Sequence, residues 1–208
     1  MMTFSEIVTS EDELRAVLGY PAARAVNKEI ARLDVHCCAI ISRSPFVLIS
    51  SSNAEGRLDV SPKGDPPGFV QVLDEKTLAI PDRPGNRRAD TFRNVLQNPR
   101  VGLLFLIPGR QETLRVNGRA AIVRDLPLRE RMAVNGKVPE LALVVSVEEA
   151  FVHCAKCILR SRLWDRVASP DVAGLPSHAR CLVDHAKLAE SVEEIQASVE
   201  QGYKTKLY

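Results

Sequence analysis

From Phe46 onward the chain is a succession of short segments rich in Val, Ile and Leu: Phe46 to Ser51, Arg57 to Ser61, Phe69 to Leu73 and Thr77 to Ile80. The joints between them, Asn53 to Gly56, Pro62 to Gly68 and Asp74 to Lys76, hold the Gly, Pro, Asn or Asp that tight reversals need. Such segments read as antiparallel strands. A parallel sheet would need a crossover of about a dozen or more residues between strands, usually a helix, and the joints are too short for one. Ala89 to Gln97 is then a short helix with Phe92, Val95 and Leu96 on one face, stopped by Asn98-Pro99. Strands resume at Arg100 to Ile107, Glu112 to Arg124 and Leu141 to His153. About seven strands with one internal helix suit a small closed or nearly closed barrel, a mainly β (α+β) fold.

The flanks are helical. Glu11 to Leu18 and Ala22 to Leu33 carry helical patterns, the second with Val26, Ile30 and Leu33 at i, i+4 and i+7. Beyond the strands, His178 to Gln201 carries Leu188, Val192, Ile195 and Val199 on one stripe, a helix that must bury that face. The expected organisation is a helical appendage over 1–35, a barrel domain over 36–167, and a linker with a helix packing on the barrel over 168–208.

The charge balance, 28 Lys plus Arg against 26 Asp plus Glu, gives a net charge of +2, which announces neither a nucleic-acid nor an anionic-membrane surface. With 45% apolar and 26% charged residues the composition is that of an ordinary globular chain. The longest apolar run, Val101 to Ile107, is far short of the roughly 20 residues of a membrane helix. Residues 1–14 show neither the basic nor the apolar region of a secretory signal, and five cysteines are an odd number, so a reduced cytoplasmic setting is expected.

The densest polar constellation is Ile80-Pro81-Asp82-Arg83-Pro84-Gly85-Asn86-Arg87-Arg88-Ala89-Asp90, a strand end, a Pro-Gly turn and a helix start. Four Arg against Asp90 give +3 over Arg83 to Arg93. A helix start offers free N–H groups and a partial positive charge, which guanidinium forks complete into a phosphate site. A solvated basic turn would have the same composition. A second constellation, Leu58-Asp59-Val60-Ser61-Pro62-Lys63-Gly64-Asp65, delivers a hydroxyl and an ammonium at a strand end. Lys63 could be a further phosphate ligand, and Asp65 is expected to serve its own turn. A third, His153 to Trp164, is helical in spacing: Lys156 and Arg160 are i, i+4 neighbours, with Trp164, the one Trp, on the same face one turn on. A basic pair with an aromatic suits a planar anionic ligand.

Taken in order, these motifs resemble a known family. Ser61-Pro62-Lys63-Gly64-Asp65, Ile80 to Arg88, Asn98-Pro99, Glu112-Thr113-Leu114-Arg115-Val116-Asn117-Gly118, and His153-Cys154-x-Lys156 with Arg160-Ser161-x-Leu163-Trp164 are similar to the pyridoxamine 5'-phosphate oxidase-like flavoproteins. More narrowly they resemble a bacterial subgroup described simply as FMN-dependent enzymes. The resemblance runs from about Ala31 to Val167 and implies an antiparallel split β-barrel, a homodimer and two FMN sites at the subunit interface. It implies that Lys63, Arg87 and Arg88 hold the FMN phosphate, with Asn86 shaping the turn. Ser61, Thr113 and Arg115 would approach the ring or ribityl chain, and Lys156, Arg160, Ser161 and Trp164 would come from the partner. One departure limits the analogy. The family's Arg-x-Val-Leu-Leu-Lys strand is here Leu58-Asp59-Val60-Ser61-Pro62-Lys63, without the leading Arg, so the substrate of pyridoxamine phosphate oxidase does not carry over. The implied activity is hydride transfer at flavin N5 to or from a small-molecule substrate or nicotinamide donor. The alternative is a flavin carrier or sensor without turnover, since no Asp/His or Ser/His pair sits at the motifs.

The cysteines offer other chemistries. Cys154-x-x-Cys157 with Cys181 and His185 could close a zinc tetrahedron, or the first pair could act as a redox dithiol. The first pair lies on an expected helix beside an apolar strand, where cysteines serve as small buried residues, and no thioredoxin-like context surrounds it. No metal is therefore expected. His36-Cys37-Cys38 reads as packing and His153 as a hydrogen-bonded structural histidine.

Overall fold

The computed structural model describes residues 2–165, 167 and 170–208. Seven strands form one antiparallel sheet: β1 (Phe46–Ser52), β2 (Leu58–Gly64), β3 (Gln71–Asp74), β4 (Thr77–Pro81), β5 (Arg100–Leu106), β6 (Thr113–Val123) and β7 (Ala142–His153). Their order is β2-β1-β5-β6-β7-β4-β3. The sheet curls into a split barrel whose end strands, β2 and β3, do not pair with each other. Alternation fixes its inside: Val47 and Ile49 on β1, Leu103 and Phe105 on β5, Leu114 and Val116 on β6 and Val145 on β7 are buried, while the residues between them face outward or are half-buried. These side chains fill the interior.

Eight helices surround the sheet among the described residues: α1 (Glu11–Leu18), α2 (Ala23–Val26), α3 (Val35–Ile41), α4 (Asp90–Gln97), α5 (Leu126–Glu130), α6 (Lys156–Ser161), α7 (His178–Ala186) and α8 (Val192–Thr205). α4 is the helix interrupting the strands and packs against β1, β2 and β6 with Thr91 and Val95 buried. Among the described residues no helix is long and apolar enough to cross a membrane.

β6 and β7 share the longest ladder, from Thr113↔His153 to Val123↔Ala142. Its register shifts between Asn117 and Gly118, where Glu148 is the extra residue of a bulge. There the strands come so close that a Cβ on Gly118 would lie far inside contact distance of the Ser146 carbonyl. Only glycine fits.

Two expectations about helices are corrected. The pattern Ala22 to Leu33 yields one turn, α2, because Ile30 bridges to Ala150 with both backbone bonds made, which draws the chain onto the β7 edge. His36-Cys37-Cys38 lies in α3, where Cys37 packs in the core with Cys38 against it, and the helix is capped by Asp34, whose carboxyl is held below its usual range by the Cys37 amide. Burial pushes the Cys37 thiol up to about 11. The stretch His178 to Gln201 is two helices: Lys187 turns left-handed after α7, and Ser191 starts α8 with a capping box to Glu194. α7 and α8 pack on each other, so the expected apolar stripe is half-buried between them.

Candidate functional site

β2 exposes Leu58, Val60 and Pro62 and turns Asp59, Ser61 and Lys63 half-buried toward the inner side, opposite Ser51, Ile49 and Val47 of β1. Polar bonds fasten α4 there: Thr91 donates to Asp59 at 3.1 Å, Asn94 to Ser51 at 3.0 Å, and Asn98 to Ser52 at 2.9 Å. The turn leading into α4 is ordered locally. Asn86 Oδ1 accepts the Arg88 amide at 3.0 Å, which is the turn-shaping role expected of it. Arg87 and Ala89 are both left-handed, at φ 60° and 55°. Each costs about 1 kcal/mol or more in a residue with a side chain, and such strain collects at ligand clamps. Ala89 precedes α4 without a side-chain cap, which leaves the first-turn N–H groups of that helix to another partner.

Around this turn Arg57, Arg88 and Arg93 converge with Asp59 and Asp90 on a hollow of about 210 Å³. Arg88 is 69% exposed and pairs with Asp90 at 2.7 Å, which holds the Asp90 carboxyl below its usual range. Burial pushes the Asp82 carboxyl up, with the charges of Lys63 and Arg83 pulling the other way. Contrary to the expectation from sequence, Asp65 does not serve its own turn. It is buried, and its Oδ2 meets Arg83 Nε at 2.6 Å. The pairing spans 18 residues, and its only sequence signal is opposite charges in two Pro/Gly turns.

The other expected residues gather elsewhere. Thr113 is buried opposite His153, and the Arg115 guanidinium sits 4.9 Å from the centre of the Phe151 ring, which Lys28 Nζ also approaches, at 4.8 Å. Beside them lies a hollow of about 600 Å³ with an apolar floor of Ile30, Ile40, Phe151 and Val152 and cations Lys28 and Arg110 at its rim. His153 differs from expectation: its buried Nδ1 has no hydrogen-bond partner among the described residues. Lys156 and Arg160 are exposed on α6, and the Ser161 hydroxyl donates to Ile158 within the helix. Trp164 is not on the same helical face, because Arg162 turns left-handed and ends α6 first. Its indole N–H instead donates to the Arg110 carbonyl at 2.7 Å, on the β5–β6 turn. Thus Ser61 and Lys63 lie on β2 and Asn86, Arg87 and Arg88 in the turn before α4, whereas Thr113 and Arg115 lie on β6 and Lys156, Arg160, Ser161 and Trp164 on or just after α6. No hydrogen bond or ion pair joins the two groups among the described residues.

The five cysteines are free, and among the described residues no three His, Cys, Asp or Glu side chains converge as metal ligands.

The order of these motifs along one split barrel is matched by the family model of pyridoxamine 5'-phosphate oxidase over residues 33–154, more than half of the chain. The chain belongs to the pyridoxamine 5'-phosphate oxidase family. The matched region of this family member includes Ser61, Lys63, Asn86, Arg87, Arg88, Thr113 and Arg115 and stops before α6. Solved structures similar to it include HupZ of Group A Streptococcus, 17% identical with a TM-score of 0.48, covering 59% of this chain and 94% of that one. An FMN-binding protein from Syntrophomonas wolfei is 13% identical with a TM-score of 0.41, covering 68% and 92%. HutZ, the heme storage protein from Vibrio cholerae, is 15% identical with a TM-score of 0.42, covering 59% and 94%. No protein of curated function matches this sequence.

Proposed function

We propose that this family member is an FMN-dependent oxidoreductase, a homodimer whose two cofactor sites are each shared by both chains. The observation that carries the reading is the turn before α4, where an uncapped helix start and two left-handed residues, Arg87 and Ala89, flank Arg88, with Ser61 and Lys63 half-buried on β2, a strand that α4 packs against. That donor set fits a phosphate monoester. Lys63, Arg87 and Arg88 would neutralise it, with Asn86 holding the turn, and Ser61, Thr113 and Arg115 would meet the ribityl chain or ring. When bound, FMN supplies hydride transfer at its N5 to or from a small-molecule substrate or nicotinamide donor. The protein's part is orientation and electrostatics. Its five unpaired cysteines suit a reducing, cytoplasmic setting.

Sharing follows from space. The interior is filled by fully buried side chains such as Phe105, Ile49 and Leu114, so a flat three-ring cofactor lies outside the barrel and needs a second surface to cover it. Lys156, Arg160, Ser161 and Trp164 of a second copy would supply that surface, since among the described residues of one chain none of them bonds to the Asn86–Arg88 turn. A second reading, flavin binding without turnover, is favoured by one feature: Asp59, Asp65 and Asp90 are each tied to a partner, which leaves none of them free for proton transfer.

The test is complementation. Protein purified without added cofactor should carry a flavin spectrum, with FMN released by acid. Arg88→Ala and Trp164→Ala should each lose most flavin, and mixing the two chains under subunit exchange should restore one intact pocket per heterodimer. A mixture that binds no better than its components refutes the shared site, and a colourless wild type that takes up no FMN on titration refutes the cofactor. Reduction of the bound flavin by NADH or NADPH separates turnover from carriage.

A further inference from the structure

The two segments that carry the phosphate ligands are joined by a pair that the chain beyond α8 closes. Asp65 follows Lys63 by two residues at the exit of β2, and Arg83 precedes Arg87 by four at the exit of β4. The Asp65 side chain is 1% exposed and that of Arg83 17%. While Oδ2 of Asp65 meets Arg83, its Oδ1 accepts the Tyr208 hydroxyl at 2.5 Å. The Tyr208 ring centre lies 5.6 Å from the Arg83 guanidinium carbon, and Lys137 Nζ donates to the Tyr208 carbonyl at 2.5 Å. Lys206 and Leu207, which lead to it from α8, are exposed. One residue is therefore anchored on three separate loops, while the two before it are exposed and, among the described residues, Lys206 bonds back only to its own helix, at the Gly202 carbonyl.

We propose that Tyr208 is a positioning residue, the end of a strap that fixes the Asn86–Arg88 turn relative to Lys63 and thereby sets how tightly a phosphate is held. The inference rests on reading that turn as the FMN phosphate site. A buried carboxylate has two oxygens to satisfy, and Arg83 Nε serves one. Without the hydroxyl, Oδ1 must draw in water or another donor, which opens the seam between the two loops. The ring also restricts the rotamer of the guanidinium it faces. The turn has little else to hold it: the side-chain bonds of Asn86 and Arg88 are local, to Arg88 itself and to Asp90. Arg83 is thus the side-chain link between the turn and the β2 exit, and Tyr208 is what keeps that link seated.

The experiment compares wild type with Tyr208→Phe, which keeps the ring, Tyr208→Ala, which loses ring and hydroxyl, and Lys137→Met, which frees the backbone of the strap. In flavin-free protein, amide hydrogen exchange across 83–89 should quicken in the order Tyr208→Phe, Lys137→Met, Tyr208→Ala, with exchange in β6 and β7 unchanged. In titrations, Tyr208→Ala should weaken FMN about tenfold, the scale of one hydrogen bond to a charged group, and Tyr208→Phe about threefold, with riboflavin affinity unchanged. Unchanged exchange in Tyr208→Ala overturns the strap. So does acceleration that extends into β6 and β7, which marks loss of stability, or an equal loss for FMN and riboflavin, which detaches Tyr208 from the phosphate. A wild type that binds no FMN would defeat the cofactor reading alone, and the exchange data would still decide the strap.

Discussion

Around β2 and α4 the site is held by bonds within the chain, whereas around α6 it is largely left to solvent. On the first side Asp59, Ser51 and Ser52 hold α4, Asn86 shapes the turn, and a buried Asp65–Arg83 pair joins the two strand exits. On the second, Trp164 makes one bond to the Arg110 carbonyl, Ser161 bonds within its own helix, and Lys156 and Arg160 are exposed. The family match ends between the two, at residue 154. A preorganised group of donors suits a ligand part that never changes, such as a phosphate. An exposed group of cations beside a Trp suits a surface completed only when something covers it.

The comparison breaks most completely if the ladder beneath both sides fails. The β6–β7 pair carries Thr113 and Arg115 at one end and backs β4, from which the phosphate turn emerges, at the other. Gly118→Ala drives a methyl into the Ser146 carbonyl, a backbone atom that cannot swing aside. We expect a loss of about 3 kcal/mol, seen as a lower urea midpoint, with both groups of residues affected together. An unchanged midpoint would mean the strands can part at the bulge at little cost.

Arg88→Ala sharpens the contrast without touching the frame. Its pair with Asp90 is exposed, so its loss should leave the urea midpoint nearly unchanged. A charge-assisted bond to phosphate is worth about 1.5 to 3 kcal/mol, so FMN should bind roughly 10- to 150-fold more weakly while riboflavin is spared. Calorimetric titration with both ligands checks this. Equal losses would move Arg88 off the phosphate and leave the preorganised side without its assigned ligand.

What sequence could and could not reveal divides along the same line. The strands were legible because burial on one face writes a period of two into β1 and β5, and the joints carry turn residues. The clustering of Asn86, Arg87 and Arg88 at the start of α4, the candidate phosphate turn, was legible because these residues are neighbours in the chain. Pairings across long separations left no such mark. Asp65 reads as a turn residue until Arg83 and Tyr208, 18 and 143 positions away, are brought to it. Val26, Ile30 and Leu33 fit a helix by spacing, yet the free edge of β7 offered Ile30 two backbone bonds and outweighed the pattern. The break between α7 and α8 was encoded in Ser191-x-x-Glu194, a capping box lying inside an otherwise continuous apolar stripe.

The smallest expected effect tests whether the preorganised side is tuned for an anion. Asp82 is half-buried, and its carboxyl is pushed up chiefly by burial, with the charges of Lys63 and Arg83 opposing the shift only in part. A raised folded pKa means that the folded protein takes up this proton before the unfolded chain does as pH falls. The ionised carboxylate is therefore a cost at neutral pH, and wild-type stability attributable to it rises as the solution is acidified through that range. Asp82→Asn removes the ionisable group. The variant should be more stable than wild type at pH 7 by about 0.5 kcal/mol, the scale of a partly exposed substitution, and the difference should shrink on acidification as wild-type Asp82 becomes neutral. Urea unfolding at pH 7 and near pH 4 reads this directly. With one negative charge fewer acting on Lys63, the variant should also bind FMN more tightly without gaining affinity for riboflavin. If Asp82→Asn is instead less stable at neutral pH, the attraction of Lys63 and Arg83 outweighs burial. The carboxylate is then a structural partner of those cations, and Lys63 is already spoken for before any phosphate arrives.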